Sequence, residues 1–443
     1  MKRRAIEWVL VALLAGNLAV GTRMLVGQGH GQGAPQAEDL LGDGYSYMRL
    51  LADVMVTVQQ HYVDEVKTRD KDLIYGALKG MLSALDPHSQ FMEPDLFEEM
   101  KEDAEGRFGG IGISIHKPGQ TEWVSIITAM EGTPGDRAGL RGGDKIIKID
   151  GRATQAMSME EVLKGLRGDP GTEVDLTVLK GVTGKMDEVH IVRDFITIQS
   201  VKDSRMLEEE IGGGDKVGYI RVLNFNEQTG EEFEKALAKL EAEGMQALVI
   251  DLRRNPGGLL DAAARVAGKF IPPGEVIVST IGRGDQQGTV IRSVAERKRF
   301  DYPVAVLVNG ASASGAEIVA GALKDLRRAI IVGETTFGKG SVQSVLKNFD
   351  GSGVRLTTAK YYTPSNRTIH EVGVEPNVPA SMEPEVAAAL ARHRLQAAID
   401  GGGRMEPEGV SDVQLRRAVD ALRAVRIYNR RVMPEVMART AAR

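Results

Sequence analysis

The sequence predicts a multidomain α/β protein, with a layered α/β core, a compact β-rich segment before it and helical segments at both ends. Three observations carry this. Between residues 186 and 378, short apolar runs alternate with amphipathic stretches, the pattern of strands and helices stacked in layers. Residues 105–183 hold brief strand-like runs, glycine turns and one short helical stretch at 159–166. The flanks carry three-to-four-residue apolar periodicity. With 443 residues, 42% of them hydrophobic and 26% charged, the chain is large enough for two or three domains.

At the N-terminus, Lys2, Arg3 and Arg4 precede an apolar stretch at 8–20, too short for a comfortable bilayer span but suited to a secretory signal. Ala19-Val20-Gly21 offers small residues at a cleavage spacing, and an uncleaved anchor continuing to Val26 across Arg23 fits as well. Residues 27–37, rich in Gly and Gln, read as a flexible tether. The expected location is therefore extracytoplasmic, in the periplasm or cell envelope, with the protein either secreted across the inner membrane or, if the segment is kept, anchored to it.

Residues 38–104 follow as a helical segment, in which Leu50, Leu51, Val54, Met55 and Val58 give the period and Pro87 and Pro94 break it. The core is assigned to residues 184–380. Its strands are the apolar runs 217–222, 247–252, 276–280, 304–308 and 329–332, with amphipathic helices at 231–243 and 259–270. The tail, 381–443, holds two helical patterns separated by Gly401-Gly402-Gly403. In the second, the stripe Leu415, Val419 and Leu422 fits intramolecular packing and leaves a homo-oligomer open.

Net charge is -5 with the basic residues spread along the chain, so nothing supports a nucleic-acid footprint. The absence of cysteine excludes disulfides, a thiol nucleophile and zinc-thiolate sites. The seven histidines include no pair at metal-ligand spacing, and the chemistry read below implies neither a metal nor another cofactor.

Two stretches carry chemistry. In Asn309-Gly310-Ala311-Ser312-Ala313-Ser314-Gly315-Ala316-Glu317 an apolar run empties into small residues and then a helix start, a strand-turn-helix that aims backbone N–H groups outward. A hydroxyl at Ser314 would sit in positive potential, next to donors for the oxyanion formed when it attacks a carbonyl. In Gly333-Glu334-Thr335-Thr336-Phe337-Gly338-Lys339-Gly340-Ser341-Val342-Gln343, Lys339 lies 25 positions after Ser314 and Gln343 four further on. Lys339 and Gln343 would share one side of a strand or helix. A lysine serves as a base near neutrality only if burial disfavours its ammonium form, and a Gln343 amide oxygen could orient the amine. Glu317 reads as a first-turn carboxylate that the helix dipole alone explains.

Together these stretches resemble the carboxyl-terminal processing proteases, the serine peptidase family S41 that includes the tail-specific protease. The resemblance runs from about Tyr45 to Val378 and extends to Leu85-Asp86-Pro87-His88-Ser89, Phe108-Gly109-Gly110-Ile111-Gly112, Ala138-Gly139-Leu140-Arg141-Gly142-Gly143-Asp144, Asp251-Leu252-Arg253-Arg254-Asn255-Pro256-Gly257-Gly258 and Tyr361-Tyr362-Thr363-Pro364. It implies that Ser314, Lys339 and Gln343 are nucleophile, base and orienting residue. It also implies a crotonase-like core and a PDZ domain at 105–183, in which Phe108, Gly109, Gly110, Ile111 and Gly112 hold a substrate's terminal carboxylate. Arg167 matches the residue that links PDZ domain and active site. Gly257 or Gly258, with Gly315, is assigned to the oxyanion hole. The chain departs from the family pattern at Gly315-Ala316, where Ala-Ser is usual, and at Asn366, where glycine is common.

The reading is a serine endopeptidase that recruits protein or peptide substrates by their C-terminal ends and acts through a Ser-Lys dyad. Its rivals are a catalytically inactive PDZ adaptor on a protease scaffold, and a crotonase-type acyl-CoA enzyme.

Overall fold

A computed structural model describes residues 37–119, 121–285, 287–294, 301–399, 406–407 and 409–429. The signal or anchor segment and the Gly401–403 spacer lie outside the described residues. Among those described, no helix is long and apolar enough to cross a membrane.

The described residues up to Ala77 make one compact unit and those from Leu78 onward a second. The first contains α1 (Ala37–His61) and the start of α2 (Asp70–Ser83). Between them Asp64 caps a short turn, and Gln59 Nε2 donates to Asp70 Oδ1 at 2.6 Å.

The second unit opens with β1 (Gln90–Met92) and α3 (Pro94–Glu105), which begins with proline in its first turn and ends on Gly106 at φ 72°. Next come β2 (Arg107–Gly110), β3 (Ile113–His116), β4 (Val124–Ala129), α4 (Pro134–Arg137), β5 (Lys145–Ile149), β6 (Arg152–Ala153), α5 (Met159–Leu166), β7 (Glu173–Leu179), β8 (Met186–Val192) and β9 (Asp194–Thr197). Strands β3-β4-β5-β7-β8 form an antiparallel sheet in that order, with β6 on β5, while β2 pairs with β9 as a separate ribbon. A reciprocal Ser158–Glu161 capping box starts α5. One turn apart, Val162 and Leu166 then bury against Ile146, Ile149 and Leu176, each stabilising by about 1.5–3 kcal/mol.

The rest of this unit comprises β10 (Val201–Met206), α6 (Glu209–Gly212), β11 (Val217–Val222), α7 (Thr229–Ala242), β12 (Ala247–Asp251), α8 (Leu260–Gly268), β13 (Val276–Gly282), β14 (Gln287–Arg292), β15 (Val304–Val308), α9 (Gly315–Asp325), β16 (Ala329–Gly333), β17 (Ser341–Lys347), β18 (Gly353–Tyr362), β19 (Val378–Pro379), α10 (Pro384–Ile399) and α11 (Val413–Ile427). The central sheet runs β10-β11-β12-β15-β16-β19, parallel from β11 onward with β10 antiparallel at its edge. Its strands are apolar on both faces because both faces are covered. Ile220, Ile250 and Val306 pack with Phe233 of α7, Ala263 of α8 and Ile318 of α9. Tyr219, Val249 and Leu307 point the other way, onto Leu415, Val419 and Leu422 of α11. The stripe at 415–422 is thus covered within the chain. A second, antiparallel sheet, β1-β18-β13-β14 with β17 on β18, stands beside the central one.

A buried charge network ties the tail to β12. Asp251, fully buried, accepts from Tyr219 Oη at 2.6 Å and from Arg253 Nε and Nη2 at 2.9 and 2.7 Å; Arg253 also binds both carboxylate oxygens of Asp412 at 2.8 Å. Burial opposes ionisation of Asp251, but Arg253 outweighs it and holds the carboxyl well below its ordinary value. Removing one partner of such a network leaves an uncompensated buried charge, at about 3–5 kcal/mol.

Candidate active site

The parallel strands β12, β15 and β16 end side by side, and the loops after them carry residues 252–259, 309–314 and 334–340. This is where an open α/β sheet gathers its functional groups, because crevices form outside the carboxyl ends of the strands.

Ser314 is the last residue before α9. Its backbone is at φ 52°, ψ -113°, a conformation that a residue with a side chain adopts only under strain. The sharp strand-to-helix turn projects the hydroxyl, a geometry shared with elbows that carry a nucleophilic serine. Gly257 lies directly against it. A Cβ on Gly257, which is at φ 100°, would sit 2.6 Å from Ser314 Cβ and 2.8 Å from Gly315 N, so only glycine allows this approach. The Gly257 N–H is already donated to Asn255 Oδ1 at 2.8 Å. The N–H groups of Gly258 and Gly315 have no protein acceptor among the described residues, which leaves them free for a ligand.

Glu317 is fully buried and its carboxylate accepts four hydrogen bonds. Oε2 takes the Ser314 and Lys339 N–H groups, both at 2.8 Å; Oε1 takes Thr336 Oγ1 at 2.5 Å and the Gly338 N–H at 2.7 Å. The helix-dipole reading of Glu317 was incomplete for this reason: the side chain pins the backbone of the serine segment and of the lysine segment to one oxygen. Nothing in the sequence marks a partner 22 residues away. Glu317→Gln replaces two of four acceptor positions by a donor and leaves buried N–H groups unpaired, at about 1–3 kcal/mol each. We expect at least about 10²-fold lower peptide hydrolysis, since displacements near 1 Å at a reacting group cost that much. A thermal melt of the same variant should show a lowered midpoint, and wild-type hydrolysis by Glu317→Gln would remove the residue from this role.

Lys339 is half-buried and lies just before β17. Burial, assisted by the nearby Arg355 guanidinium, lowers its pKa, and no carboxylate offsets them. Gly340 lets the segment pass close to its neighbour, because a Cβ there would come within 2.3 Å of His370 N. Gln343 sits on β17 at a register shift, with Nε2 donating to Ser341 Oγ at 2.9 Å. The expected shared face of Lys339 and Gln343 is not a regular strand face, since the first precedes the strand and the second sits at a bulge. Among the described residues, Lys339 Nζ is hydrogen-bonded to neither Ser314 Oγ nor the Gln343 amide.

Two further groups reach the site without having been given a role by sequence reasoning. Tyr361, on β18, is buried, which raises its phenol to about 12, and its hydroxyl lies within hydrogen-bonding reach of the Ser314 side chain. The segment at 86–89 braces β18: Asp86 accepts from Ser89 Oγ at 2.6 Å and Thr357 Oγ1 at 3.2 Å, and His88 O accepts from Arg355 Nε at 3.1 Å. Burial, and then the Lys339 charge, lowers the His88 pKa, which keeps the imidazole neutral at pH 7 and adds no cation beside the lysine.

The other sequence-assigned residues lie apart from these groups. Phe108, Gly109 and Gly110 are on β2, and Ile111-Gly112 lead into β3, the edge strand of the small sheet. Arg167 caps the end of α5, with its guanidinium 4.7 Å over the Phe108 ring. Asn366 takes φ 58°, so the turn that commonly uses glycine is kept by asparagine. Among the described residues no cluster of His, Asp or Glu could hold a metal.

Residues 216–380 match the model of peptidase family S41, and residues 126–180 match a PDZ domain. The carboxy-terminal-processing protease of Bartonella bacilliformis is 38% identical over 340 residues, covering 75% of each chain. The carboxyl-terminal-processing protease of a Picosynechococcus species is 36% identical over 374 residues, 79% of this chain and 88% of that one. The carboxy-terminal processing protease CtpA of Bacillus subtilis is 36% identical over 318 residues, 71% of this chain and 66% of that one. With a PDZ domain preceding a mixed α/β protease core, this chain belongs to peptidase family S41, among the carboxyl-terminal-processing serine proteases.

Proposed function

We propose that this protease is an extracytoplasmic endopeptidase that cuts by a Ser-Lys dyad and recruits its substrates by their C-terminal ends. The observation that carries the reading is the Glu317 carboxylate, which draws the Ser314 and Lys339 backbones onto one oxygen at 2.8 Å each. Ser314 Oγ attacks the scissile carbonyl while the neutral Lys339 amine takes its proton. The N–H groups of Gly258 and Gly315 receive the oxyanion, Gly257 being engaged by Asn255. Lysine then protonates the leaving amine, and water, deprotonated by the same amine, resolves the acyl-enzyme. With its Nε2 held by Ser341, the Gln343 amide keeps Oε1 as an acceptor that would fix the direction of the Lys339 amine once substrate closes the site. The parallel sheet packed between helices supports a crotonase-like core.

Recruitment rests on the edge strand β3 and on α5. An extended peptide adds to β3, and Met159 and Leu163, both exposed and one turn apart on α5, offer it an apolar wall. Its terminal carboxylate binds the N–H groups around Gly109 at the end of this groove. A short peptide substrate with a free C-terminus should therefore be cleaved at least about tenfold more efficiently than its C-terminal amide, with the difference in KM, because charge-assisted hydrogen bonds contribute about 1.5–3 kcal/mol. Equal efficiency on acid and amide would rule out carboxylate capture while leaving the dyad untouched. The location rests on the basic and apolar N-terminus, and cell fractionation with N-terminal sequencing of the recovered protein tests it.

A further inference from the structure

The groups suited to a substrate's C-terminal carboxylate face a carboxylate of the protein itself. Glu102, in the last turn of α3, places Oε2 3.8 Å from Arg167 Nη1, and the Gly109 backbone N–H is directed at the same carboxylate. The Gly109 peptide turns toward the end of α5, since the Gly168 N–H donates to Gly109 O at 3.2 Å. Arg167 is held in this position from its other side by stacking on Phe108. Three residues earlier on α5, Lys164 pairs with Asp95 at the start of α3, at 2.8 Å, so both ends of α3 are tied to the C-terminal end of α5.

We propose that Glu102 is an internal stand-in for the substrate's terminal carboxylate: it occupies Arg167 and the Gly109 N–H in the resting protein and is displaced when a substrate C-terminus arrives. This rests on the carboxylate-capture reading above and adds to it the regulation of that site. The latch is weak, as a displaceable one must be. Burial raises the Glu102 pKa more than Arg167 and the Gly109 N–H lower it, so the ionised form is incompletely compensated where it sits. A substrate that must first expel Glu102 binds with an apparent affinity reduced by the fraction of molecules in which the site is free. Expulsion also releases Arg167 from its only carboxylate partner among the described residues.

The test is binding of a fluorescent peptide with a free C-terminus, and of its C-terminal amide, to the full chain carrying Ser314→Ala so that neither is consumed. Fluorescence anisotropy in the Glu102→Gln background should show the acid peptide bound about 3- to 10-fold more tightly and the amide unchanged. Glu102→Asp, which withdraws the charge by one methylene, should move the same way by less. Glu99→Gln, which removes a charge from the same helix without touching Arg167, should leave both peptides unaffected. Unchanged or weaker acid binding by Glu102→Gln, in a protein that still prefers acid to amide, overturns the latch and spares carboxylate capture. Equal tightening by Glu99→Gln overturns it in favour of a general charge effect. If no variant distinguishes acid from amide, carboxylate capture fails and the latch with it.

Discussion

Ser314→Ala is expected to lower peptide hydrolysis by at least about 10³-fold, leaving only what binding and oxyanion donors supply without a nucleophile. The neighbouring Ser312 is the control. Its hydroxyl is fully buried, donates to Leu252 O at 2.7 Å and accepts from the Asn309 N–H at 3.0 Å, so it has no free path to a substrate. Ser312→Ala should retain turnover while losing about 1–3 kcal/mol of stability, the cost of leaving these buried groups unpaired. Hydrolysis of a fluorogenic peptide and thermal melts of the two variants separate the roles. Loss of turnover in Ser312→Ala with activity kept in Ser314→Ala would move the nucleophile by two positions.

Lys339→Arg should be as inactive as Lys339→Ala, both down by at least about 10²-fold, in the range that general acid-base catalysis contributes. Arginine keeps length and charge but cannot give up its proton near neutrality. The pH profile follows from the direction of the shift. Burial and Arg355 lower the lysine pKa, so the free amine appears at a lower pH than for an exposed lysine. Activity should rise with pH through that depressed value and reach its plateau below the ordinary lysine range. Appreciable turnover by the arginine variant, or a profile that climbs only in the ordinary lysine range, would exclude Lys339 as the base.

The strands and helices of the core were legible because their pattern is local. Apolar runs at 217–222, 247–252, 304–308 and 329–332 are the buried parallel strands, and the stripes at 231–243 and 259–270 mark α7 and α8. The Ser158–Glu161 box and the proline at the start of α3 are equally local signals. Polar partners distant in sequence were not legible. Glu317 looks like any first-turn carboxylate until Lys339 N is found at 2.8 Å, and Arg253 like a loop cation until both oxygens of Asp412 are found at 2.8 Å, 159 residues away.

By itself, the sequence determined the α/β layering, the strand-turn-helix that carries Ser314, the lysine segment that follows 25 residues later and the family in which that pair occurs. Those are set by side-chain periodicity and turn chemistry, which act between residues a few positions apart. Only the tertiary structure decided that one buried carboxylate joins serine and lysine segments, that Gly257 donates its N–H to Asn255 while Gly258 and Gly315 keep theirs, and that Glu102 lies 3.8 Å from Arg167. The physical reason is that hydrogen bonds and ion pairs are short-ranged and directional, so which groups meet depends on how the strands and helices pack, and periodicity does not encode that.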